Sequence, residues 1–444
     1  MSFIAILSAL LISIVLIVIC TSVLKYNTFL SIFIISLFLA LVTLPIQDVV
    51  PTIMLGFGNT MKSIGLIIML GIILGLVLDK THATKSIAHS ILRLTGKKNA
   101  GMAIHSTGFI TGIPIFCDSG FIVLNGINKS LIEDTGKPVV FMASVLAAGL
   151  YSVHCLIPPH PGATAAAGIM NANIGQLIML GIPVALVASL AGFVWSRLLT
   201  RNDEVNPVKT IPDKKIEYKE EDLPSPFRSF LPIVIPVLLL TGRSVLVISA
   251  SKDQSSLLKI VSFMGEPIIA LIIGIILAIS LFKKINAWQL NELFDLSIGK
   301  AGAILAIIAA GGIFGTVIKT TGIGEITGNY LAATGIGLFV PFLIAAFLKT
   351  AQGSSTVAIM TTASIISPML VPLNLNTENG IVLATLAMGA GSMIISHSND
   401  AYFWVVTKFS DLEIKSTFRV WTTTTLVMGI FAFAAIWTMS KFML

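Results

Sequence analysis

Asp118 stands in the string Gly112-Ile113-Pro114-Ile115-Phe116-Cys117-Asp118-Ser119-Gly120, with apolar sequence on both sides. An ionised carboxylate is costly in such a setting, and taking up a proton relieves the cost. Asp118 is therefore suited to accepting and releasing protons, with Ser119 as a polar neighbour. The same residue would also serve as an N-cap for a helix opening at Gly120. About 40 residues on, His154-Cys155-Leu156-Ile157-Pro158-Pro159-His160-Pro161-Gly162 sets two histidines among three prolines. Proline stops a helix and leaves carbonyls free, and His154 and His160 in that setting suit hydrogen bonding or proton transfer. A membrane-edge turn with satisfied histidines would use the same residues.

The second half of the chain repeats the pattern. Lys349-Thr350-Ala351-Gln352-Gly353-Ser354-Ser355-Thr356 leads into an apolar run from Val357. Gln352, Gly353, Ser354 and Ser355 would present hydroxyls and unpaired backbone N–H groups at a helix N-terminus, which suits a carboxylate. Small residues there would equally let two helices approach closely. Ser396-His397-Ser398-Asn399-Asp400 then precedes Ala401-Tyr402-Phe403-Trp404. Imidazole, amide, hydroxyl and carboxylate together suit a polyhydroxylated ligand, since each hydroxyl buried without a partner costs about 1–3 kcal/mol. The aromatic residues after Asp400 would also fit a membrane-interface belt.

The elements that carry these residues are apolar. Hydrophobic residues make up 55% of the chain, charged residues 11%, and mean hydropathy is +0.95. A soluble domain carries roughly 25% charge, so this is an integral membrane protein. Runs long enough for a ~30 Å hydrocarbon core recur from Phe3–Cys20 to Thr423–Phe442, which predicts an all-α polytopic protein and not a barrel. The runs Gly101–Phe116, Gly120–Leu131 and Leu338–Leu348 border the breaks and read as half-helices or re-entrant hairpins, because irregular backbone at membrane depth must be buried or line a wet cavity. Helices broken at matching places in two halves mark a secondary transporter. Gly56-Phe57-Gly58-Asn59-Thr60 reads as a turn ahead of a helix beginning near Ile64, or as part of the same cavity.

Arg201 to Ser225 mixes lysines with acidic residues and reads as a solvated linker. The expected organisation is a membrane half over residues 1–200, a cytoplasmic linker over 201–227 and a second half over 228–444. Met1–Cys20 lacks a basic leader and a small-residue cleavage site, as a retained helix would. The basic loops around Lys80–Lys98, Lys129–Lys137, the linker and Lys283–Lys284 can all be placed in the cytoplasm, with the amino terminus outside. The net charge of +7 thus reports topology, and dispersed basic residues give no nucleic-acid surface. Cys20, Cys117 and Cys155 show neither CxxC nor Cys/His ligand spacing, so no disulfide, metal site or cofactor is expected. Cys117 is the thiol placed nearest the expected cavity.

Taken with Gly56-Phe57-Gly58-Asn59-Thr60, Gly112-Ile113-Pro114, Gly120-Phe121, Pro158-Pro159-His160-Pro161-Gly162, Gln352-Gly353-Ser354, Ser396-His397, Asn399-Asp400 and Phe403-Trp404, the chain resembles the gluconate permease (GntP) family over nearly its whole length. The resemblance implies a proton-coupled importer of sugar acids or other small hydroxylated carboxylates in the bacterial cytoplasmic (inner) membrane. Gluconate is typical of the family, with D-serine, fructuronate and glycerate among the variants. It also implies the fold of the ion-transporter superfamily: inverted repeats with re-entrant hairpins, a scaffold domain and a moving transport domain, as a homodimer. Where the family often has Phe-Phe-Glu-Val, this chain has Phe116-Cys117-Asp118-Ser119, a change that would enlarge or re-polarise the pocket and allows a smaller acid such as glycerate in place of gluconate.

The expected mechanism is alternating access. N–H and hydroxyl groups around Gly353, Ser354 and Ser355 hold the substrate carboxylate, Asn399, His160 and Asp400 address its hydroxyls, and Asp118 or His154 carries the proton. Sodium coupling through exposed carbonyls near Pro158 and Gly353 is the rival among transporters. A passive channel is another. A membrane-embedded enzyme would need a nucleophile beside a base or an HExxH motif, and the sequence contains neither.

Overall fold

The computed structural model describes residues 3–24, 26–96, 99–201, 203, 223–249, 256–322, 337–398 and 400–444. Asn399 and nearly all of the polar linker fall outside the described residues. Regular structure among the described residues is entirely helical. In chain order the helices are α1 (Phe3–Val18), α2 (Thr28–Thr43), α3 (Ile46–Lys80), α4 (Ala83–Thr95), α5 (Ala100–Gly112) and α6 (Cys117–Thr135). They continue as α7 (Val139–Leu156), α8 (Pro161–Met170), α9 (Ile174–Leu199), α10 (Pro226–Ser249), α11 (Ser256–Met264), α12 (Pro267–Ile279) and α13 (Ala287–Thr321). The last are α14 (Phe339–Gln352), α15 (Ser355–Ile366), α16 (Glu378–Met393), α17 (Ala401–Phe409) and α18 (Ile414–Met443), the last with a π-helical turn at Phe418–Thr422.

Local sequence sets these boundaries. Asn27, Asn173, Asn286 and Thr377 each accept a first-turn N–H through the side chain, and Asn286 forms a capping box with Gln289. Pro161 and Pro267 sit at helix starts, where the missing N–H has no partner to lose. Six stretches among the described residues are long and apolar enough to cross a membrane: Ile46–Lys80, Val139–Met170, Ile174–Leu199, Pro226–Arg243, Ala287–Thr321 and Ile414–Met443. Shorter apolar helices such as Phe339–Gln352 lie between them.

The order of elements repeats. The 35-residue helix α3 recurs as α13, and the series α5, α6, α7, α8 and α9 recurs as α14, α15, α16, α17 and α18, each starting about 240 residues further on. α7 and α16 form the centre. Val140 to Leu156 are all buried, as are Val382 to Met393, so both helices are surrounded by protein. α9 and α18 pack on each other through Trp195 Nε1 donating to Thr423 Oγ1 (3.0 Å) and Ser196 bonded to Thr424 (2.9 Å).

Two sequence expectations are corrected here. α3 starts at Ile46 and not near Ile64, so Gly56-Phe57-Gly58-Asn59-Thr60 is helical. Gly56 and Thr60 face α13: a Cβ on Gly56 would lie 2.8 Å from Ile313 Cα, and Thr60 satisfies its hydroxyl on the Gly56 carbonyl (2.8 Å). Small residues there let two long helices cross closely, which explains Gly56 without a turn, while Gly58 faces open space. α6 opens at Cys117, with Phe116 in the cap position, so Asp118 lies in the first turn and does not cap a helix starting at Gly120.

Three of the basic loops share one end of the molecule. Lys80 and Lys284 line one cavity of about 350 Å³, and Ser86 donates to the carbonyl of Pro224 at the far end of the linker (2.6 Å). A second cavity, of about 610 Å³, is lined by Ser63, Asn173, Arg243, Glu266 and Glu378 among others.

The equivalent contacts α5–α7 and α14–α16 depend on missing side chains. A Cβ on Gly149 would lie 2.4 Å from the His105 carbonyl, and one on Gly391 would lie 2.2 Å from that of Phe342. Backbone cannot yield as a side chain does. Gly149→Ala and Gly391→Ala are each expected to destabilise the fold by about 1–3 kcal/mol, read as a lower unfolding temperature in detergent. An unchanged unfolding temperature would mean that the helices separate freely at these points.

Candidate functional site

The two breaks in the first half of the chain form one cluster. α5 ends at Gly112, and the chain turns through Pro114 before Cys117 opens α6. Asp118 is exposed in the first turn, Ser119 is half-buried, and Cys117 Sγ lies 3.9 Å from Asp118 Oδ1. α7 ends at Leu156, and His160 precedes Pro161 at the start of α8. The buried His160 donates through Nε2 to the freed carbonyl of Gly112 (2.7 Å), tying the second break to the first. The His154 and His160 rings are 4.9 Å apart, and Phe116 lies edge-on to both at 6.3 and 6.1 Å. His154 Nδ1 is buried with no protein partner.

The second half builds an equivalent cluster with different chemistry. Gly353 takes φ 84°, in the left-handed region that glycine adopts without penalty, and ends α14. Ser354 caps α15, its hydroxyl accepting from Val357 N at 3.3 Å. The N–H groups of Ser355 and Thr356 precede the first intrahelical bond and stay available at the helix opening. Gln352 is buried, and both atoms of its amide lack a protein partner. Ile395 holds φ 54°, a costly conformation for a β-branched residue, where α16 gives way to the second break.

Asp400 caps α17 by accepting from Tyr402 N through Oδ1 (3.0 Å). Its Oδ2 accepts from the Ser396 hydroxyl at 2.5 Å and from Lys349 Nζ at 2.6 Å. Lys349 is wholly buried, donates a second bond to the Gly353 carbonyl, and lies 5.8 Å from the centre of the Tyr151 ring. Trp421 Nε1 donates to Ser396 Oγ (3.0 Å), and His397 Nε2 to the Thr350 carbonyl (2.9 Å). His160 and Asp400 thus hold corresponding positions, each heading a short helix and linked back to the preceding break.

The two clusters meet. A Cβ on Gly162 would lie 3.2 Å from Thr356 Cα, so the openings of α8 and α15 touch through backbone. Asp118 is within electrostatic reach of Asp400 and Lys349, and His154 of Lys349. Ser355 lies beside the Tyr151 hydroxyl and the Cys155 thiol, and Tyr151 stacks on Tyr402 at 5.3 Å. Asp118, His154, His160, Gly353, Ser355 and Asp400 are thereby brought to one region, with Ser354 at its edge. Both oxygens of Asp400 are engaged within the protein. Lys349 and Tyr151 complete the region and were missed as site residues from sequence. The available signal was a lone cation at the end of the apolar run Phe339–Leu348, since an ionisable group at such a place is functional by default. Among the described residues, no group of three or more His, Cys, Asp or Glu comes together in a way that could hold a metal ion.

Comparisons with known proteins agree with this architecture. The chain is 32% identical over 398 residues to the Gnt-II system L-idonate transporter of Escherichia coli K12, covering 88% of this chain and 89% of that protein. It is 31% identical over 415 residues to the gluconate permease of Pseudomonas aeruginosa, covering 91% of each. The high-affinity gluconate transporter of Escherichia coli K12 is 30% identical over 403 residues, with 89% and 90% covered. The fold is similar to that of the Alcanivorax borkumensis YdaH transporter, with a TM-score of 0.67 over 93% of this chain and 98% of the other at 16% identity. The model of the GntP family of permeases matches residues 5–442. With breaks in both halves converging inside a bundle of apolar helices, and that match running almost end to end, the chain belongs to the GntP permease family and is a multi-pass protein of the bacterial inner membrane.

Proposed function

We propose that this permease imports a small hydroxylated carboxylate together with protons, by alternating access around the region where the breaks meet. The convergence of Asp118, Lys349, Asp400 and the opening of α15 carries the reading. It supplies a cation and free N–H groups for a carboxylate, and an exposed carboxyl for a proton. Relatives named for gluconate and L-idonate support a sugar acid as the class of substrate. Asp118 and Ser119, a shorter carboxylate and a small polar neighbour where the family often has Glu-Val, re-polarise the pocket and extend the class to an acid such as glycerate.

Within this reading, Gly353, Ser354 and Ser355 receive the carboxylate, and His160, Gln352 and Asn399 address hydroxyls. Asp118 or His154 carries the proton. Residues 1–200 and 228–444 form two repeats joined by the cytoplasmic linker 201–227. The recurrence of element starts at about 240 residues supports that division, and we take the repeats as inverted. The long helices α3 and α13 belong to a scaffold, the broken helices to a transport domain that moves against it, and two chains form the working dimer.

Uptake into proteoliposomes decides the coupling. Labelled gluconate is expected to accumulate when the interior is made alkaline in sodium-free buffer, and to stop when a protonophore is added. Accumulation that requires sodium and ignores the proton gradient would overturn proton coupling, and equilibration without accumulation would identify a channel.

A further inference from the structure

The Lys349–Asp400 pair has no need to exist for stability. Both side chains are withdrawn from water, with 0% and 7% of their surfaces exposed. Desolvating two charges costs as much as their attraction returns, so apolar residues of similar volume would hold α14 to α17 as well. The pair nevertheless sits at the meeting point of the breaks. Its ammonium is bonded to the carbonyl of Gly353, next to the opening of α15, where the N–H groups of Ser355 and Thr356 face the same turn. An anion drawn to those N–H groups would lie beside Lys349 Nζ, where Asp400 Oδ2 already is.

We propose that Lys349 is the anchor for the substrate carboxylate, and that Asp400 is an internal anion competing for it. A proton taken up by Asp400 ends its claim on the ammonium, and the substrate carboxylate replaces it. One proton and one monoanion enter together, so the net charge around Lys349 is the same before and after. Asp118, the exposed carboxyl within electrostatic reach of both, relays the proton. The other titratable groups within electrostatic reach of the pair are Cys117 on α6, Tyr151, His154 and Cys155 on α7, and Tyr402 on α17, while His160 packs on His154 and His397 bonds to the Thr350 carbonyl. Coupling needs two ligands that favour the same state, and the shared ammonium provides it. This inference rests on the proposed function. It changes the role of Asp400 from a hydroxyl partner to a stand-in for the substrate.

Equilibrium binding of labelled gluconate, L-idonate, glycerate and D-serine to the purified protein at several pH values is the test. Wild-type affinity is expected to fall about tenfold per pH unit in the alkaline range, because one proton binds with each anion. In Asp400→Asn the ammonium has lost its competitor, so affinity at pH 8 rises at least tenfold and its pH dependence flattens. The double variant Lys349→Gln with Asp400→Asn leaves no unpaired charge to unfold the protein, and is expected to be monodisperse while binding at least a hundredfold more weakly. Weaker or unchanged binding by Asp400→Asn would overturn the inference. So would retained binding by the double variant, which decides alone if the single variant fails to fold. A wild type that binds none of the acids would overturn the proposed function, and this inference with it.

Discussion

Lys349→Met is expected to be the most damaging single substitution, lowering stability by about 3–5 kcal/mol and abolishing substrate uptake. Methionine fills much the same volume, so the loss is one of charge. Asp400 would keep its bonds from Ser396 and from Tyr402 N but lose the one cation bonded to it among the described residues, deep between α14 and α17. The carbonyl of Gly353 would lose its donor at the turn that orients the opening of α15. Adding Asp400→Asn to Lys349→Met removes the unpaired charge and is expected to restore most of the unfolding temperature, but none of the uptake. Stability and uptake recovering together would mean that Lys349 only holds the helices. An unfolding temperature unchanged in the single variant would mean that Asp400 is neutral in the resting protein.

Asp118→Asn is expected to separate transport from coupling. Asparagine keeps the size and polarity of the side chain in the first turn of α6 and cannot carry a proton. Accumulation driven by a proton gradient should disappear. Exchange of labelled for unlabelled substrate across the membrane, which needs no net proton movement, should persist at a reduced rate. The expected difference is all or nothing in one assay and partial in the other, measured on the same proteoliposomes. Full accumulation by Asp118→Asn would take Asp118 out of the coupling pathway and leave that role to Asp400 or His154.

Much of the architecture could be read from the chain. The apolar runs Val139–Ile157, Ile174–Leu199 and Ile381–Ile395 match the helices α7, α9 and α16 within a few residues, because these elements are buried or lipid-facing throughout and nothing in them competes with the helical signal. The breaks at Gly112–Cys117 and Gly353–Ser354 were visible because proline and glycine punctuate apolar sequence there. The full length of α3 was not. Pro51, Gly56 and Gly58 argue locally against a helix, and the close crossing with α13 overrides them. α8 and α17 were hidden for a related reason: nine or ten residues behind a polar string resemble the end of a loop, and only packing against the opposite repeat's break turns them into helices.

The candidate site was legible by residue type and not by partnership. Asp118 stands out because an ionisable group in apolar sequence is expensive, and that reasoning applies with equal force to Lys349. Its place at the end of an apolar run, before a polar string, is also where a terminal cation serving the helix dipole would stand. Its burial and its pairing with a carboxylate 51 residues away depend on how α14 and α17 come together, which no local pattern encodes. Likewise, the string Gly353-Ser354-Ser355 shows hydroxyls and N–H groups together, but only the structure shows that Ser354 accepts from Val357 N while keeping its own O–H as a donor beside the open N–H groups of Ser355 and Thr356.

A structure of the protein determined at acidic pH with saturating gluconate would test most directly whether the breaks enclose the ligand. The expected result is a carboxylate against Lys349 Nζ and the N–H groups opening α15, with its hydroxyl chain reaching toward His160 and Gln352, and Asp400 turned away. A ligand lodged instead in the cavity lined by Asn173, Arg243 and Glu266, with the Lys349–Asp400 pair intact, would contradict it.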